Sequence, residues 1–416
     1  MAAAVGCTKG PDRVDGVPPA NTASAPAVPA RVPYDPPAQF KGGVLLPWEA
    51  SSGLISVGGT WLYNARVPVA LHQDMAYVAT TDRMIAFDTT RGEAKGTITP
   101  EGESLATLEE NNRNYGAPPV VAGSIVLAPF LVRQAGIGTQ AARTSTELVA
   151  ADAATGKLAW RLPIAVPEWT KDVSSRLTAS VVGAYGNIAV VTVAHERSVF
   201  YSGSTTYAVD LSAHRVLWSQ DFFKAFAVTD GIVTGEKRKA PTDDYSAAAG
   251  YDLATGAERW HGEDLLQLGM QPAGPNLVFL AAQNKSDYRV SYRRFLDPAT
   301  GAVKQNDVPG GSRCEHDEAS TVVCFGGDSV VGIDATTGAT LWQLPDKTAN
   351  RIAPKVTAVW HGRVYGKTAN GTVALDARTG ADMPSQPGAA PDLVNAYTAI
   401  AIDPSGNSLM AYQAVG

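Results

Sequence analysis

Cys314 and Cys324 are the residues whose types and spacing most directly suggest chemistry. They lie at equal distances from Ala319, and two adjacent strands that turn near this residue would place the two thiols opposite each other. Opposed residues have Cβ atoms about 4.5–5.5 Å apart, and a disulfide needs about 3.5–4.5 Å. The spacing predicts a cross-strand disulfide, which fits an oxidising, extracytoplasmic location. The alternatives are a metal site in which His316 and a neighbouring carboxylate join the thiols, and two unrelated free thiols.

Other catalytic and ligand-binding patterns are absent from the sequence. The six histidines are scattered, and there is no Gly-x-Ser-x-Gly elbow, phosphate loop or His-Glu-x-x-His motif. The formal net charge of −6 argues against a nucleic-acid binder. No apolar run approaches the roughly 18 residues that a membrane-spanning helix needs. We therefore expect no catalytic residue, no cofactor, no metal and no nucleic-acid partner.

One motif recurs along the chain and predicts the strands and turns that would position Cys314 and Cys324. In its best copies, Asp is followed by Thr three residues later, by Gly four residues later and by Trp eight residues later. The aspartates are Asp88, Asp152, Asp210, Asp252, Asp297, Asp334 and Asp376, and Gln413 stands in a degenerate eighth copy. The tryptophans are Trp160, Trp218, Trp260 and Trp342. A base period of about 40 residues is typical of propeller blades of four strands.

Each part of the motif has a physical role. The residues before the aspartate alternate between β-branched and small side chains, which predicts a strand. The aspartate opens a turn by accepting backbone N–H bonds two or three residues later, and the glycine closes the turn in the left-handed conformation. We interpret the aspartates as turn-formers rather than as calcium ligands or catalytic carboxylates. The residue two before the key position is small in every copy except at Phe295, which leaves room for a flat indole or for backbone.

These copies resemble the pyrroloquinoline-quinone-like propeller repeat, whose signature is Ala-x-Asp-x-x-Thr-Gly-x-x-x-Trp. In that family the tryptophan packs between adjacent blades. We predict an all-β fold over residues 41–416, an eight-bladed β-propeller of four-stranded antiparallel blades, with a seven-bladed ring as the alternative. The eighth copy lacks an outer strand, so we expect the apolar segment 44–48 to complete the last blade. The N- and C-terminal strands would then pair, and Trp48 would replace the missing eighth tryptophan.

Residues 1–40 differ in composition from the rest of the chain. Small residues precede Cys7, as in the lipobox of bacterial lipoproteins, but the apolar segment of a signal peptide is missing. The thirty residues from Pro11 to Phe40 include eight prolines and six alanines, a composition that cannot bury enough surface to offset its ordering entropy. We predict a disordered tether over residues 1–40 that joins a lipid on Cys7 to the propeller. An ordinary N-terminal tail is the alternative.

Two insertions between predicted strands are candidates for partner recognition. One spans residues 133–145, and the other spans residues 196–206 and contains Phe200 and Tyr201. Long loops on a rigid scaffold frequently carry binding residues. An exposed Phe200–Tyr201 pair would anchor a protein partner, and packing against the blade beneath is the alternative.

The resemblance implies two different kinds of function. The chain is similar to the propeller lipoprotein of the outer-membrane β-barrel assembly machinery and to actinobacterial extracytoplasmic propeller lipoproteins. This likeness implies a non-catalytic, lipid-anchored monomer on the outer face of the cell membrane that binds or scaffolds another protein through its loops. The alternatives are a ligand-sensing propeller and a dehydrogenase that uses pyrroloquinoline quinone and calcium. Such dehydrogenases frequently carry a disulfide between adjacent cysteines, and this chain has no adjacent pair.

Overall fold

Antiparallel strands that follow one another along the chain make up nearly all of the regular structure. A computed structural model of the chain describes residues 31–52, 54, 67–105, 116–172, 177–195, 203–240, 245–311 and 313–416. The part from Pro33 to Gly416 forms one unit by its contacts. Cys7, Phe200 and Tyr201, on which the sequence places lipidation and partner binding, lie outside the described residues.

Three four-stranded meanders form the first part of the fold, and we number them units 1 to 3. Unit 1 consists of β2 (Val69–His72), β3 (Met75–Ala79), β4 (Met84–Asp88) and β5 (Glu93–Ile98). Unit 2 consists of β7 (Val120–Ala122), β8 (Ile125–Gln134), β9 (Arg143–Asp152) and β10 (Leu158–Ala165), and the short β6 (Glu103–Ser104) also pairs with β8. After a 3-10 helix (Glu168–Asp172), unit 3 consists of β11 (Leu177–Tyr185), β12 (Ile188–His195), β13 (Ser204–Asp210) and β14 (Arg215–Asp221).

A seven-stranded sheet follows and contains units 4 and 5. Its strands are β15 (Phe223–Thr229), β16 (Ile232–Lys237), β17 (Ser246–Asp252), β18 (Glu258–Pro272), β19 (Val278–Asn284), β20 (Ser291–Leu296) and β21 (Val303–Gln305). The first half of β18 pairs with β17 and its second half pairs with β19, with a register shift between Leu266 and Gly269. This strand is therefore the outermost strand of unit 4 and the innermost strand of unit 5.

Units 6 to 8 complete the fold. Unit 6 consists of β22 (Arg313–His316), β23 (Thr321–Gly326), β24 (Ser329–Asp334) and β25 (Thr340–Leu344). Unit 7 consists of β26 (Lys355–Trp360), β27 (Arg363–Thr368) and β28 (Gly371–Asp376), and an isolated bridge from Leu375 to Asp382 takes the place of its fourth strand. Unit 8 consists of β29 (Leu393–Val394), β30 (Thr398–Ile402), β31 (Leu409–Val415) and β1 (Gln39–Leu45). The prediction of an all-β fold of four-stranded antiparallel propeller blades is confirmed.

The N-terminal strand closes the last unit, because β1 pairs antiparallel with β31. The predicted pairing of N- and C-terminal strands is confirmed, but the role predicted for Trp48 is wrong. Trp48 begins the short helix α1 (Trp48–Ser51), and 75% of its surface is exposed. Val44 instead lies opposite Ala411, which is the register that the tryptophans hold in the other units. An added Cβ on Gly92 of unit 1 would lie 2.9 Å from the Val44 side chain.

The hydrophobic cores lie between neighbouring units, since each sheet buries both faces against the next. Tyr77 of unit 1 is fully buried in a cluster with Val126 and Val149 of unit 2. Phe87 of unit 1 shares another cluster with Ile400 of unit 8. This second cluster joins the first unit to the last one.

Each unit has two ends with different connections. The turns between strands 1 and 2 and between strands 3 and 4 lie at one end, which we call the turn face. The loops between strands 2 and 3 and the connections to the next unit lie at the other end, which we call the loop face. In unit 4, for example, residues 230–231 and 253–257 are on the turn face, and the end of β16 at Lys237 and the start of β17 at Ser246 are on the loop face.

Candidate functional site

The repeated aspartates each accept hydrogen bonds inside a turn of the turn face. The Oδ1 atom of Asp334 accepts from the Thr337 backbone N–H at 2.7 Å and from the Thr337 hydroxyl at 2.9 Å. Equivalent bonds from a backbone N–H reach Asp88, Asp152, Asp210, Asp252, Asp297 and Asp376. Hydrogen bonds from Arg259 and then Thr255 lower the pKa of Asp252 to about 2. These carboxylates are thus engaged within their own turns.

The repeat tryptophans link each unit to the following one. The indole Nε1 donates, at 2.8 Å, to the carbonyl of the residue that follows the next aspartate. These pairs are Trp218 with Leu253, Trp260 with Pro298 and Trp342 with Ala377. The glycine of the same turn lies under the ring, and a Cβ on Gly380 would come within 2.5 Å of Trp342. Glycine is required there both by this approach and by its φ of 70°.

Unit 2 makes this contact differently, and units 1 and 5 have other side chains in place of the tryptophan. Trp160 stacks on His214 with ring centroids 4.5 Å apart, and His214 holds a φ of 49° where the other turns have glycine. In unit 1, Tyr77 donates to the Ala153 carbonyl at 2.8 Å. In unit 5, Gln305 occupies the tryptophan register opposite the fully buried Phe295. The exception that Phe295 makes in the sequence pattern therefore coincides with the loss of the indole.

Cys314 and Cys324 are opposite each other in β22 and β23, and their sulfur atoms are 2.07 Å apart. Both residues are buried. His316 does not join them, since its Nδ1 accepts a hydrogen bond from the Glu318 backbone N–H at 3.1 Å. Burial lowers the pKa of His316 below its usual range. The disulfide lies on the innermost strand of unit 6 and on the strand that follows it.

A cavity of about 900 Å³ opens on the turn face between the innermost strands of units 3 to 7, and we call it the turn-face cavity. Its charged wall contains Asp230, Glu315, Glu318 and Arg313. The Arg313 Nε atom lies 2.8 Å from Glu315 Oε1. Tyr185, half of which is exposed, donates to Asp230 Oδ1 at 2.9 Å. Carboxylates thus outnumber the arginine in this wall.

The N-terminal segment of the propeller crosses the turn face beside this cavity. The Tyr34 N–H donates to the Ala396 carbonyl at 2.7 Å. The Trp360 Nε1 donates to Asp35 Oδ1 at 3.0 Å, and His361 lies between Asp35 and the cavity residue Glu318. The chain therefore enters the propeller on the turn face.

The loop face carries exposed apolar side chains and a basic cleft. Within the described residues from 33 onward, it holds Leu45, Trp48, Ile137, Tyr245, Tyr288, Val290 and Ile352, whereas the turn-face ends of the units hold Leu158, Tyr185 and Val303. A cleft of about 590 Å³ between units 4 and 5 is lined by Lys237, Lys239, Tyr245, Asp264 and Lys285, among others. Lys285 pairs with Asp264 at 2.9 Å and lies over the Tyr245 ring.

The predicted insertion at residues 133–145 falls on the loop face. Strands β8 and β9 extend into the two ends of the segment 133–145, and residues 135–142 connect them. Arg143 Nε donates to Gln134 Oε1 at 2.8 Å at the base of this connection, and Ile137 is 78% exposed. Most of the segment 196–206 lies outside the described residues.

The turn-face cavity does not match a calcium and quinone site. Among the side chains that the structure describes, no three of His, Cys, Asp or Glu are grouped so that they could hold a metal ion. The cavity wall carries three carboxylates and one arginine, which disfavours an anionic quinone. In the same part of the chain, no helix is long and apolar enough to span a bilayer.

Several proteins of known structure are similar to this chain. It is similar in structure to BamB from Moraxella catarrhalis (14% identity, TM-score 0.48, 90% of this chain and 99% of that chain). It is also similar to a quinohemoprotein alcohol dehydrogenase from Comamonas testosteroni (12%, TM-score 0.49, 90% and 75%) and to the β-propeller domain of a Pyrococcus furiosus protease (10%, TM-score 0.41, 73% and 95%). No curated protein sequence matches.

The sequence model of one family covers nearly the whole propeller. It matches residues 42–261, 145–323 and 252–411 in overlapping segments. The overlap is what a repeated blade produces, because the model can align in several registers along the ring. The chain belongs to the family described as outer membrane protein assembly factor BamB.

Proposed function

We propose that this chain is a non-catalytic, monomeric protein-binding propeller that works outside the cytoplasmic membrane and is anchored there by a lipid on Cys7. The observation that carries the proposal is the concentration of exposed apolar side chains on the loop face. The membership of a family named for an assembly factor supports a binding role at a coarse level. The binding surface would be the loop face.

Exposed aromatic and aliphatic side chains on loops are typical of protein interaction sites. Trp48, Ile137 and Tyr288 come from different units and are 75%, 78% and 66% exposed. Large apolar groups left in water at several points of one face would be buried by a partner. The basic cleft beside Tyr245 adds lysines that pair with carboxylates on the same surface. A partner with both apolar and acidic side chains fits this face.

One feature supports a location outside the cytoplasm, and another bears on the orientation of the propeller. The Cys314–Cys324 disulfide is buried, and structural disulfides persist in oxidising compartments. The chain enters the propeller on the turn face through Tyr34 and Asp35. An anchor that pulls on this segment would leave the opposite loop face accessible to a partner.

Site-specific photo-crosslinking in the native host tests the binding surface. A photoreactive amino acid replaces Ile137 or Tyr288 on the loop face, and Leu158 or Val303 on the rim of the turn face serves as the matched exposed apolar control. We expect a discrete protein adduct at the loop-face positions and none at the rim positions. Adducts at the rim alone would contradict the proposed surface.

Metabolic labelling with a fatty acid tests the anchor. The natural gene product should incorporate label and fractionate with membranes, and Cys7→Ser should abolish both. Incorporation of labelled fatty acid into Cys7→Ser would contradict the proposed anchor. It would leave the proposed binding surface on the loop face unaffected.

A titration with pyrroloquinoline quinone and calcium tests the dehydrogenase alternative. We expect no quenching of tryptophan fluorescence and no change in the quinone absorbance up to about millimolar concentration, because the cavity wall is acidic. Saturable binding near one equivalent would contradict the non-catalytic assignment.

A further inference from the structure

We propose that the outer edge of unit 7 binds an extended strand of a partner protein by backbone hydrogen bonds. Within the described chain, β28 is the last strand of a three-stranded sheet, whereas the third strand of every other unit pairs with a fourth. The site lies on the edge of one sheet and not among the exposed side chains of the loop face, so the inference goes beyond the proposed partner surface.

A proline stands where the fourth strand of unit 7 would continue. Pro384 follows Asp376 by eight residues, the spacing at which a tryptophan follows the aspartate in units 2, 3, 4 and 6. Proline has no N–H to donate to a neighbouring strand. Beyond it the chain crosses to unit 8, where the Phe40 N–H donates to the Pro387 carbonyl at 2.8 Å. The fourth strand is therefore limited to one bridge at its turn-face end.

The loop-face half of β28 carries backbone groups with no strand beside them. The Met383 N–H donates to the Ala374 carbonyl at 2.8 Å, so the backbone of Ala374 points away from β27. Because this direction alternates along an antiparallel strand, Thr372 has the same orientation. Among the described residues, the Thr372 N–H and C=O and the Ala374 N–H have no hydrogen-bond partner on this side. These three groups form the open part of the edge.

Equivalent edges of the other units are occupied by strands, and this identifies the kind of occupant. In unit 6, Val330 stands at the position of Thr372 and pairs with Leu344 of β25. In unit 8, the fourth strand is β1, which comes from the opposite end of the described chain. An edge of this fold thus accepts a strand that is not contiguous with it in sequence.

Two neighbouring units flank the open edge. Leu375 of β28 shares a hydrophobic cluster with Trp342 of unit 6. Ala374 shares another cluster with Phe40 and Ala414 of unit 8. A strand added beside β28 would therefore lie between β25 and β1, with a neighbour on each face. A strand added outside a complete unit would extend beyond its neighbours into water, so the edge of unit 7 allows more apolar surface to be buried.

The wall on the unit 8 side predicts one side chain of the partner strand. Tyr412 packs on the cluster between units 7 and 8, and Met410 lies two residues away on the same side of β31. Both residues are only partly buried. In unit 6, Leu344 is opposite Val330 and is buried against unit 7. The partner strand therefore carries an apolar residue opposite Thr372.

Fluorescence polarisation with a synthetic strand tests the proposal. The probe is a fluorescein-labelled peptide with the sequence of residues 339–345, which contains the fourth strand of unit 6. We expect saturable one-to-one binding to the purified full chain. N-methylation of the peptide at Leu344 should weaken binding about tenfold, since this amide would face β28. N-methylation at Gln343, whose amide would face away, should leave the affinity unchanged. No saturable binding, or equal weakening by the two N-methyl groups, would overturn the proposal.

Matched variants of the chain locate the peptide on unit 7. Thr372→Pro removes the open N–H and should weaken binding about tenfold, whereas Thr372→Val keeps this donor and should bind as the wild type does. Gln343→Pro makes the same change on the outer edge of the complete unit 6 and should also leave the affinity unchanged. Wild-type affinity in a Thr372→Pro variant that keeps its Tm would overturn the site. A dimer of the free chain that Thr372→Pro converts to a monomer would overturn the assignment to a different protein.

Discussion

The turn face and the loop face differ in how strongly the repeat determines them. On the turn face, one aspartate geometry recurs in seven units, and an indole or its substitute reaches the next turn. On the loop face, connections differ in length, and exposed apolar side chains appear at unrelated positions. The repeated side-chain links between units therefore lie at one end, and the connections at the other end are free to vary in length.

The largest difference between the faces is expected when one tryptophan at each end is replaced by alanine. Trp342→Ala should lower the free energy of unfolding by about 3 kcal/mol, because it removes a large partly buried ring and its bond to Ala377. Trp48→Ala should change it by less than about 0.5 kcal/mol, since this ring is exposed. Denaturant unfolding measures both. Similar decreases of the unfolding free energy in the two variants would contradict this difference between the faces.

Removal of the disulfide should have the next largest effect. The pair Cys314→Ala and Cys324→Ala opens a covalent loop with a sequence separation of 10 residues, which should cost about 2–3 kcal/mol of unfolding free energy. Thermal unfolding of the oxidised protein and of the double variant gives the difference. Cys7→Ser, a cysteine change outside the described residues, is the control and should leave Tm unchanged.

Interactions on the turn face should contribute more to the pH dependence of the unfolding free energy than interactions on the loop face. The pKa of Asp252 is lowered to about 2 in the folded chain, mainly by Arg259. Its stabilising contribution is therefore present above the unfolded pKa of about 3.9 and is lost as pH falls through about 2. Asp252→Asn should make the unfolding free energy less dependent on pH in this window. The exposed loop-face change Asp328→Asn should leave the wild-type slope, measured by unfolding at a series of pH values.

The smallest expected effect on stability is at the tip of the unit 2 hairpin. Ile137→Ser should change the unfolding free energy by less than about 0.5 kcal/mol, because this side chain is 78% exposed. The same variant should weaken the proposed loop-face interaction, measured as loss of the cross-linked adduct from a probe at position 288. A large drop in Tm would show instead that the tip is structural.

The sequence predicts the turn face better than the loop face, for physical reasons. The turns need Asp and Gly at fixed positions, so residues such as Asp334 and Gly338 predict where one strand ends and the next begins. The sequence does not predict the link through Tyr77, because a tyrosine on strand 2 lies far in sequence from the position that it replaces. Residue type points to Trp48, whereas register puts Val44 in the tryptophan position.

The turn-face cavity was not predicted either. Its residues Tyr185 and Asp230 lie at turns between strands 1 and 2, outside the repeated Asp-Thr-Gly motif. They meet only because the innermost strands of successive units converge. The sequence does not predict the continuous strand β18 either, since no turn residue marks the passage from unit 4 to unit 5. At this passage Gln267 bends the backbone with a φ of 46°.

The closure of unit 8 has a consequence for the order of folding. The strands of units 1 to 7 follow one another along the chain, so each of these units pairs strands that are synthesised close together in time. Unit 8 must wait, because β1 is made first and its partner β31 is made last. Closing so long a loop costs little extra entropy but is slow, since non-local pairing limits folding rates. During that interval the free edge of β31 can pair with the wrong strand, so ring closure is the step at which a chaperone or a competing edge would act.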